Sequence, residues 1–584
     1  NMYAASSPFR TLYDDMTDVG VGTNFSAVGV SFVLTRLADV TVPVVTKVYY
    51  DVELDITDEN GKVDGADVTL KDSSGKAVTA GEDGIYHQLG FGKYTYSIVK
   101  TGYVCYNGEF TLGSADAKDV KDGKLVKSIK LTKAAEGAWD GKTTSEPKTD
   151  GDGVYQISNG AELAWFAQKV NGGSTKISGV LTKDIDLAAY PWTPIGTSSK
   201  NFAGSFDGQN HKVYNLLVDY RGTTRVPPYQ GLFGWVSGTA SQRVTIQNLT
   251  VQGSVTVTSS NKNVTDANSG GVIGRADYAD ITNVHANVDV TVNRVGGNWQ
   301  NVGGVVGLVY YSVNVKNCSN SGTIKGWRYA AGIVGNINSG NGNSSIINCV
   351  NTGVVSCPST CAAGIVANLS SGCKVSGCYN TGAITAGGNY AAGIVGYCSN
   401  AEVSNCYNIG MIKCNPAFAY GSVIGTVTNA AAVIKNLYYL EGTCDKGGIG
   451  AVKNAETQTS AAVTAEKLAS ADFVTDINKD LSDPIFIKGA KHPVFPWMPF
   501  DGVEAWDGTT KTEPKLVDGV YQISNAEELA WFGAQTRKNG KNGISGVLVN
   551  DIDLGGHDWY SCMIGATSSY GKGFCGTFDG AGHT

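Results

Sequence analysis

Residues 332–353 open with Gly332-Ile333-Val334-Gly335 and close with Asn348-Cys349-Val350-Asn351-Thr352-Gly353. The same two signatures recur in the same order along the chain. The glycine signature returns at Gly231-Leu-Phe-Gly234, Gly271-Val-Ile-Gly274, Gly304-Val-Val-Gly307, Gly364-Ile-Val-Ala367, Gly393-Ile-Val-Gly396 and Ser422-Val-Ile-Gly425, in steps of 28–40 residues. The second signature follows each time, at Asn248-Leu249, Asn283-Val284, Asn317-Cys318, Gly377-Cys378, Asn405-Cys406 and Asn436-Leu437. A repeat of about 30 residues, with two or three short apolar runs between Gly and Asn turns, suits one coil of a parallel β-solenoid. Coils stack at about 4.8 Å, so equivalent residues form ladders. The ladder Leu249, Val284, Cys318, Cys349, Cys378, Cys406, Leu437 is apolar throughout, as an interior stack requires. Unrelated strands of an antiparallel sandwich would not hold two signatures in register over seven units. The expected fold is all-β, a right-handed parallel β-helix with capping helices.

The ends of a solenoid expose unpaired strands and need covers. Asn159-Gly-Ala-Glu162 reads as a capping box, followed by Leu163, Trp165, Phe166 and Val170 on a helical period. This predicts a helix over the first coil. Thr464 to Ile477, with Leu468, Phe473 and Val474, predicts a helix at the far end, leading to the Pro-rich stop His492-Pro-Val-Phe-Pro-Trp497. Upstream, Val52–Ile56, Ala66–Leu70, Lys93–Ile98, Glu109–Leu112 and Val126–Leu131 alternate at period two between Asn-Gly, Ser-Gly and Asp-Gly turns. They predict a small antiparallel β-sandwich. The expected division is 1–45 unassigned, 46–134 sandwich, 136–440 β-helix, 441–502 C-terminal capping subdomain and 503–584 the start of a second β-helix.

That second start is a repeat on a larger scale. Ala138-Trp-Asp-Gly141, Val154-Tyr-Gln-Ile-Ser158, Glu162-Leu-Ala-Trp-Phe166, Asp184-Ile-Asp-Leu187 and Phe206-Asp-Gly208 return as Ala505-Trp-Asp-Gly508, Val520-Tyr-Gln-Ile-Ser524, Glu528-Leu-Ala-Trp-Phe532, Asp551-Ile-Asp-Leu554 and Phe578-Asp-Gly580. Trp139 and Trp506 stand 367 residues apart. The expectation is a window on a longer tandem array.

These motifs carry a resemblance. The Gly-Ile-Val-Gly and Asn-Cys-Tyr-Asn-x-Gly coils resemble the GLUG-motif repeats of large bacterial surface proteins. The Trp-Asp-Gly to Phe-Asp-Gly block resembles the opening of such modules, and Asn436-Leu-Tyr-Tyr-Leu440 through Pro493-Val-Phe-Pro-Trp497 resembles their ending. The sandwich, with Gly92-Lys-Tyr-Thr-Tyr96 and Lys100-Thr-Gly-Tyr103, is similar to carboxypeptidase-regulatory-like or PEGA-like modules. The resemblance implies a pectate-lyase-like solenoid in an extracellular surface protein of Gram-positive (Firmicute) bacteria, attached to the cell through regions outside this chain. It implies an adhesive or display role toward host or microbial glycans or surface proteins. A polysaccharide-active β-helix enzyme and a structural stalk or fibre are the alternatives.

Composition narrows these classes. The 584 residues include 45 Lys and Arg against 52 Asp and Glu, a net charge of −7, which argues against a nucleic-acid partner. Charged residues make up 17%, against about 25% in average proteins. No run approaches the 18 or so apolar residues of a membrane helix. Between Val302 and Tyr397 there is no Asp or Glu, so a paired-carboxylate groove across the central coils is not expected. Arg275, Asp277 and Asp280 form a charged cluster on an early coil, read as solvated turns. Asp184, Asp186, Asp207 and His211 recur in the second copy and are read as structural. Asp150-Gly-Asp152-Gly153 resembles a Ca²⁺ loop, but the second copy lacks it, and a turn is expected. Thirteen cysteines without a Cys-x-x-Cys pair favour packed thiols over disulfides or a metal, with Cys357–Cys361 the nearest candidate bridge. No cofactor, metal site or catalytic residue is expected. One constellation suggests binding. Just before the glycine signature stand Trp299, Trp327, Tyr329, Tyr390, Phe418 and Tyr420, expected to stack on adjacent coils as a platform for sugars or protein.

Overall fold

The repeat pattern dictates stacked parallel strands, and a computed structural model has that architecture. It describes residues 48–221, 226–258, 266–293, 299–338, 343–454, 456–481, 483–498, 509–537 and 543–549, with the paired strands Asn24–Ala27 and Val30–Val33 before them and residues 552, 564–565 and 574–580 after. The core is a β-solenoid of about 11 turns. A 27-stranded ladder runs from Lys148–Thr149 to Ala461–Val463, and a second, seven-stranded ladder runs from Tyr229–Gln230 to Ala419–Gly421. Small antiparallel sheets precede it. One contains Tyr50–Asp58, Gly61–Lys62, Tyr86–Leu89 and Lys124–Lys130, the other Asp67–Lys71, Ala77–Val78, Gly92–Val99 and Tyr106–Leu112.

The solenoid interior is a set of in-register apolar rows. Phe233, Ile273, Val306, Val334, Val366, Val395, Ile424 and Ile449 form one. Ile246, Ile281, Val315, Ile346, Val375, Val403 and Ile434 form another. β-Branched side chains suit such rows because their restricted χ1 packs against the rungs above and below. The cysteines fill a third position. Cys318, Cys349, Cys378 and Cys406 are fully buried, and all twelve described cysteines are free thiols, while Cys562 lies outside the described residues. Burial pushes Cys349, Cys361 and Cys406 well above the ordinary thiol range and Cys398 up to about 12. These groups are protonated and serve as small hydrophobes.

The asparagine that recurs before this ladder position has a backbone reason. Asn215, Asn248, Asn283, Asn317, Asn348, Asn405 and Asn436 all adopt φ of 52–55°, the left-handed corner that Asn tolerates best after Gly. Their amides also stack, with Asn283 donating to Asn248 at 3.0 Å and Asn317 to Asn283 at 3.1 Å. Gly377 takes this place on one coil, in the same left-handed conformation at φ 63°.

A second amide ladder runs inside. Asn320, Asn351 and Asn380 each donate to the Oδ1 of the next, at 2.8, 2.7 and 2.7 Å, ending on Asn408. Each also donates to the carbonyl two residues on, of Gly322, Gly353 and Gly382. This accounts for the Asn-x-Gly motif.

At the first coil, helix Gly160–Asn171 is capped by Asn159, whose side chain accepts from Glu162 N, and it buries Leu163, Phe166 and Val170. Phe166 meets Phe202 and Phe206, each at 5.9 Å. The second copy builds the same start, with Asn525 capping Ala526–Thr536. The far segment differs from the single end-cap helix expected. It forms two short helices, Ala465–Leu468 and Ala471–Asn478, broken where Ser470 caps the second. From there it folds back along the flank of the coils as a strap. Phe473 packs on Tyr438 and Tyr407, Phe486 on Tyr407 and Tyr379, Phe495 on Tyr379, and Trp497 on His285. Those coil residues form one outward row, His285, Ser319, Val350, Tyr379, Tyr407, Tyr438. Alternation in each strand turns Asn inward and the preceding residue outward, so the row is apolar where the strap lies on it.

Candidate functional site, an aromatic flank beside the glycine corner

The glycine signature makes a sharp corner between the two ladders. Glycine is required because a Cβ on Gly274 would lie 2.6 Å from the Gln230 nitrogen and one on Gly307 2.7 Å from the Ser269 nitrogen. The corner brings two outward rows side by side. One reads Tyr229, Asn268, Asn301, Tyr329, Cys361, Tyr390, Ala419. The other reads Trp235, Arg275, Leu308, Asn336, Asn368, Tyr397, Thr426. The rows touch, with Tyr229 and Trp235 5.7 Å apart between ring centroids, Tyr390 and Tyr397 5.4 Å apart, and Asn336 donating to Asn301 at 3.0 Å.

The predicted platform residues fall differently on this frame. Tyr329 and Tyr390 share one row and are both half-buried, but the rung between them carries Cys361. They are thus two rungs apart, about 10 Å at a rung spacing of about 4.8 Å, and do not stack on each other. They pack instead on the cluster Ala331, Cys361, Ala363 and Ala367. Trp327 and Phe418 are half-buried in the turns leading to this row. Trp299 begins strand Trp299–Gly303, with its side chain outside the described residues. Tyr420 is buried at 2% and belongs to the interior cluster. Its offset from the corner explains this. Tyr329 and Tyr390 stand three residues before their Gly, whereas Tyr420 stands two before Ser422, and a one-residue slip turns a strand side chain to the other face.

The early-coil charges are not solvated turns. Asp277 is 1% exposed and pairs with Arg275 at 2.8 Å. The Arg275 guanidinium lies 4.6 Å from the Trp235 ring, 5.0 Å from Tyr310 and 5.7 Å from Tyr229. Trp235 Nε1 also donates to Asp277, at 2.8 Å. A stacked pair continues the cluster, Tyr278 and Tyr311 at 5.2 Å with rings 7° apart. Tyr278 has φ 45°, an uncommon conformation for a bulky side chain. Composition alone hid this group because a charged triad reads as surface. The Tyr310-Tyr311 doublet was the available signal.

The recurring acidic residues join rungs. Asp186 accepts from Ala188 N at 2.7 Å and Asn215 Nδ2 at 2.8 Å, and Asp207 accepts from Gln247 and Asn248. His211 and Asp184 meet at 3.2 Å on the surface. Asp150 folds its own turn by accepting from Asp152 N and Val154 N. Among the described residues, no group of three or more His, Cys, Asp or Glu is arranged to hold a metal ion, and no helix is long and apolar enough to cross a membrane.

Comparison with known proteins finds one family. The model of the GLUG motif matches residues 266–291, the coil that carries Arg275, Asp277 and Tyr278. No curated protein and no solved structure matches the chain. The motif and the solenoid around it fit a surface or structural protein.

Proposed function

We propose that this chain is an adhesive display module of an extracellular protein on a Gram-positive bacterium, and that its aromatic flank contacts glycans or surface proteins of a host or neighbouring cell. The observation that carries the reading is the pair of adjoining rows with half-buried Trp235, Tyr329, Tyr390 and Tyr397 on a rigid ladder. Aromatic rings with one apolar face and one polar tip are suited to sugar rings and to protein contact surfaces. A rigid parallel ladder loses little conformational freedom when it binds, which favours affinity from few contacts. The test is a glycan and surface-protein array probed with the full chain, alongside the Tyr329→Ala/Tyr390→Ala double variant. Binding that falls by about tenfold, as the loss of two aromatic contacts predicts, supports the flank. Unchanged binding by the variant assigns the contact elsewhere and overturns it.

A further inference from the structure

Among the described residues, the row under the strap continues upstream as Ser319, His285 and Thr250. In strand Ile273–Val292, His285 and Asn287 stand two residues apart and leave the sheet on one face. Thr250 and Ser319 are in register with His285, and Gln252 with Asn287. Together with Ser321 and Thr352 they line a trough of about 580 Å³. Met498 closes one end, and the Trp497 ring lies 5.3 Å from the His285 ring. Downstream the same row turns aromatic and is filled by Phe486 and Phe495. Upstream of Met498, the last described strap residue, the row turns to hydroxyls and amides.

We propose that this trough is a binding site for an uncharged carbohydrate segment. Its volume falls within the roughly 300–1,000 Å³ typical of small-molecule sites. No Asp, Glu, Lys or Arg lines it. Threonine and serine hydroxyls and the Gln252 and Asn287 amides each offer both donors and acceptors. Sugar hydroxyls have the same dual character, so a ring can satisfy several of these groups at once. Met498 supplies apolar surface for the carbon face of the ring. An extended peptide fits less well. The floor strands Val244–Thr258, Ile273–Val292 and Ser319–Asn320 are paired with one another, so no free edge is offered for strand addition. An anion fits less well too, because desolvation disfavours the charged form of the half-buried His285, which shares a hydrogen bond with Ser319 Oγ at 2.9 Å.

The trough shares no residue with the aromatic flank, so each can fail alone. The full chain would be titrated calorimetrically with neutral and with anionic oligosaccharides, beside Gln252→Ala/Asn287→Ala and Tyr329→Ala/Tyr390→Ala variants checked for native circular dichroism. The expected result is binding of a neutral sugar that weakens by about tenfold in the Gln252/Asn287 variant, the loss expected for two hydrogen bonds, and is unchanged in the Tyr329/Tyr390 variant. A more conservative Gln252→Glu change, which keeps the shape and adds charge, should also weaken it. Absence of neutral-sugar binding at millimolar concentration, binding confined to anionic sugars, or binding insensitive to Gln252 and Asn287 would overturn the proposal.

Discussion

At the residue scale the molecule is governed by asparagine. The αL asparagines turn the corner, and each interior asparagine gives one amide hydrogen to the next coil and the other to the carbonyl two residues on in its own coil. The interior ladder has a loose end. Asn320 Oδ1 is buried with no partner, because the residue in register on the preceding rung is Ala286. An Ala286→Asn change would fill Asn320 Oδ1 but leave the new Oδ1 facing Val251, so it moves the loose end one rung and no gain in stability is expected in denaturant unfolding. Asn351→Ala removes the middle rung, leaving acceptors on Gly353 and Asn380 unfilled, and should cost more than about 2 kcal/mol. Equal stability of the Asn351→Ala variant and the parent would show that the ladder contributes nothing net. The asparagines were legible in the sequence as a recurring letter. Their orientation was not, since the same residue type serves the corner in one row and the interior in another.

At the scale of elements, the strap is the feature that the linear pattern concealed. Its helices were legible from Thr464, Leu468 and Phe473, but a cap on the last coil and a strap along the flank bury the same apolar residues. The outward Tyr379, Tyr407 and Tyr438 needed a cover, and the strap supplies it with Phe473, Phe486 and Phe495. Polar contacts fix its course. Asn405 donates to the carbonyls of Ile477 and Lys479 at 2.8 and 2.6 Å, and Tyr407 Oη meets His492 Nδ1 at 2.8 Å. The strap's last contact, Trp497 on His285, is pH-dependent. Burial lowers the His285 pKa in the folded state. The unfolded or released state therefore takes up a proton first as pH falls, and stability from this contact is intact above the ordinary histidine value of about 6.5 and declines below it. The Trp497 contribution to fluorescence, taken as the difference from a Trp497→Phe variant, should change as pH falls below about 6.5 and should stop responding in His285→Gln. A response that persists in His285→Gln would place its origin in another group.

At the scale of the whole molecule, stability is a sum of neighbouring-coil interfaces. Central coils have two neighbours and terminal coils one plus a cap. Amide exchange should therefore be slowest in strands between 302 and 397 and faster toward Ala461–Val463, where Ala461 and Ala462 are exposed. Slowest exchange at the terminal strands would contradict this picture. The repeat spacing, the apolar ladders and the Asn and Gly corners were determined by sequence alone, because stacking of identical units is a local rule applied many times. The packed state of the thiols follows from the same rule. Only tertiary structure decided what depends on parity and return of the chain. Tyr420 turns inward while Tyr390 turns outward, Cys361 separates Tyr329 from Tyr390, Arg275 and Asp277 sink among aromatic rings, and the C-terminal segment lies along the flank. One-residue shifts and long-range returns leave no periodic trace, so residues far apart in sequence meet only once the coils have been stacked.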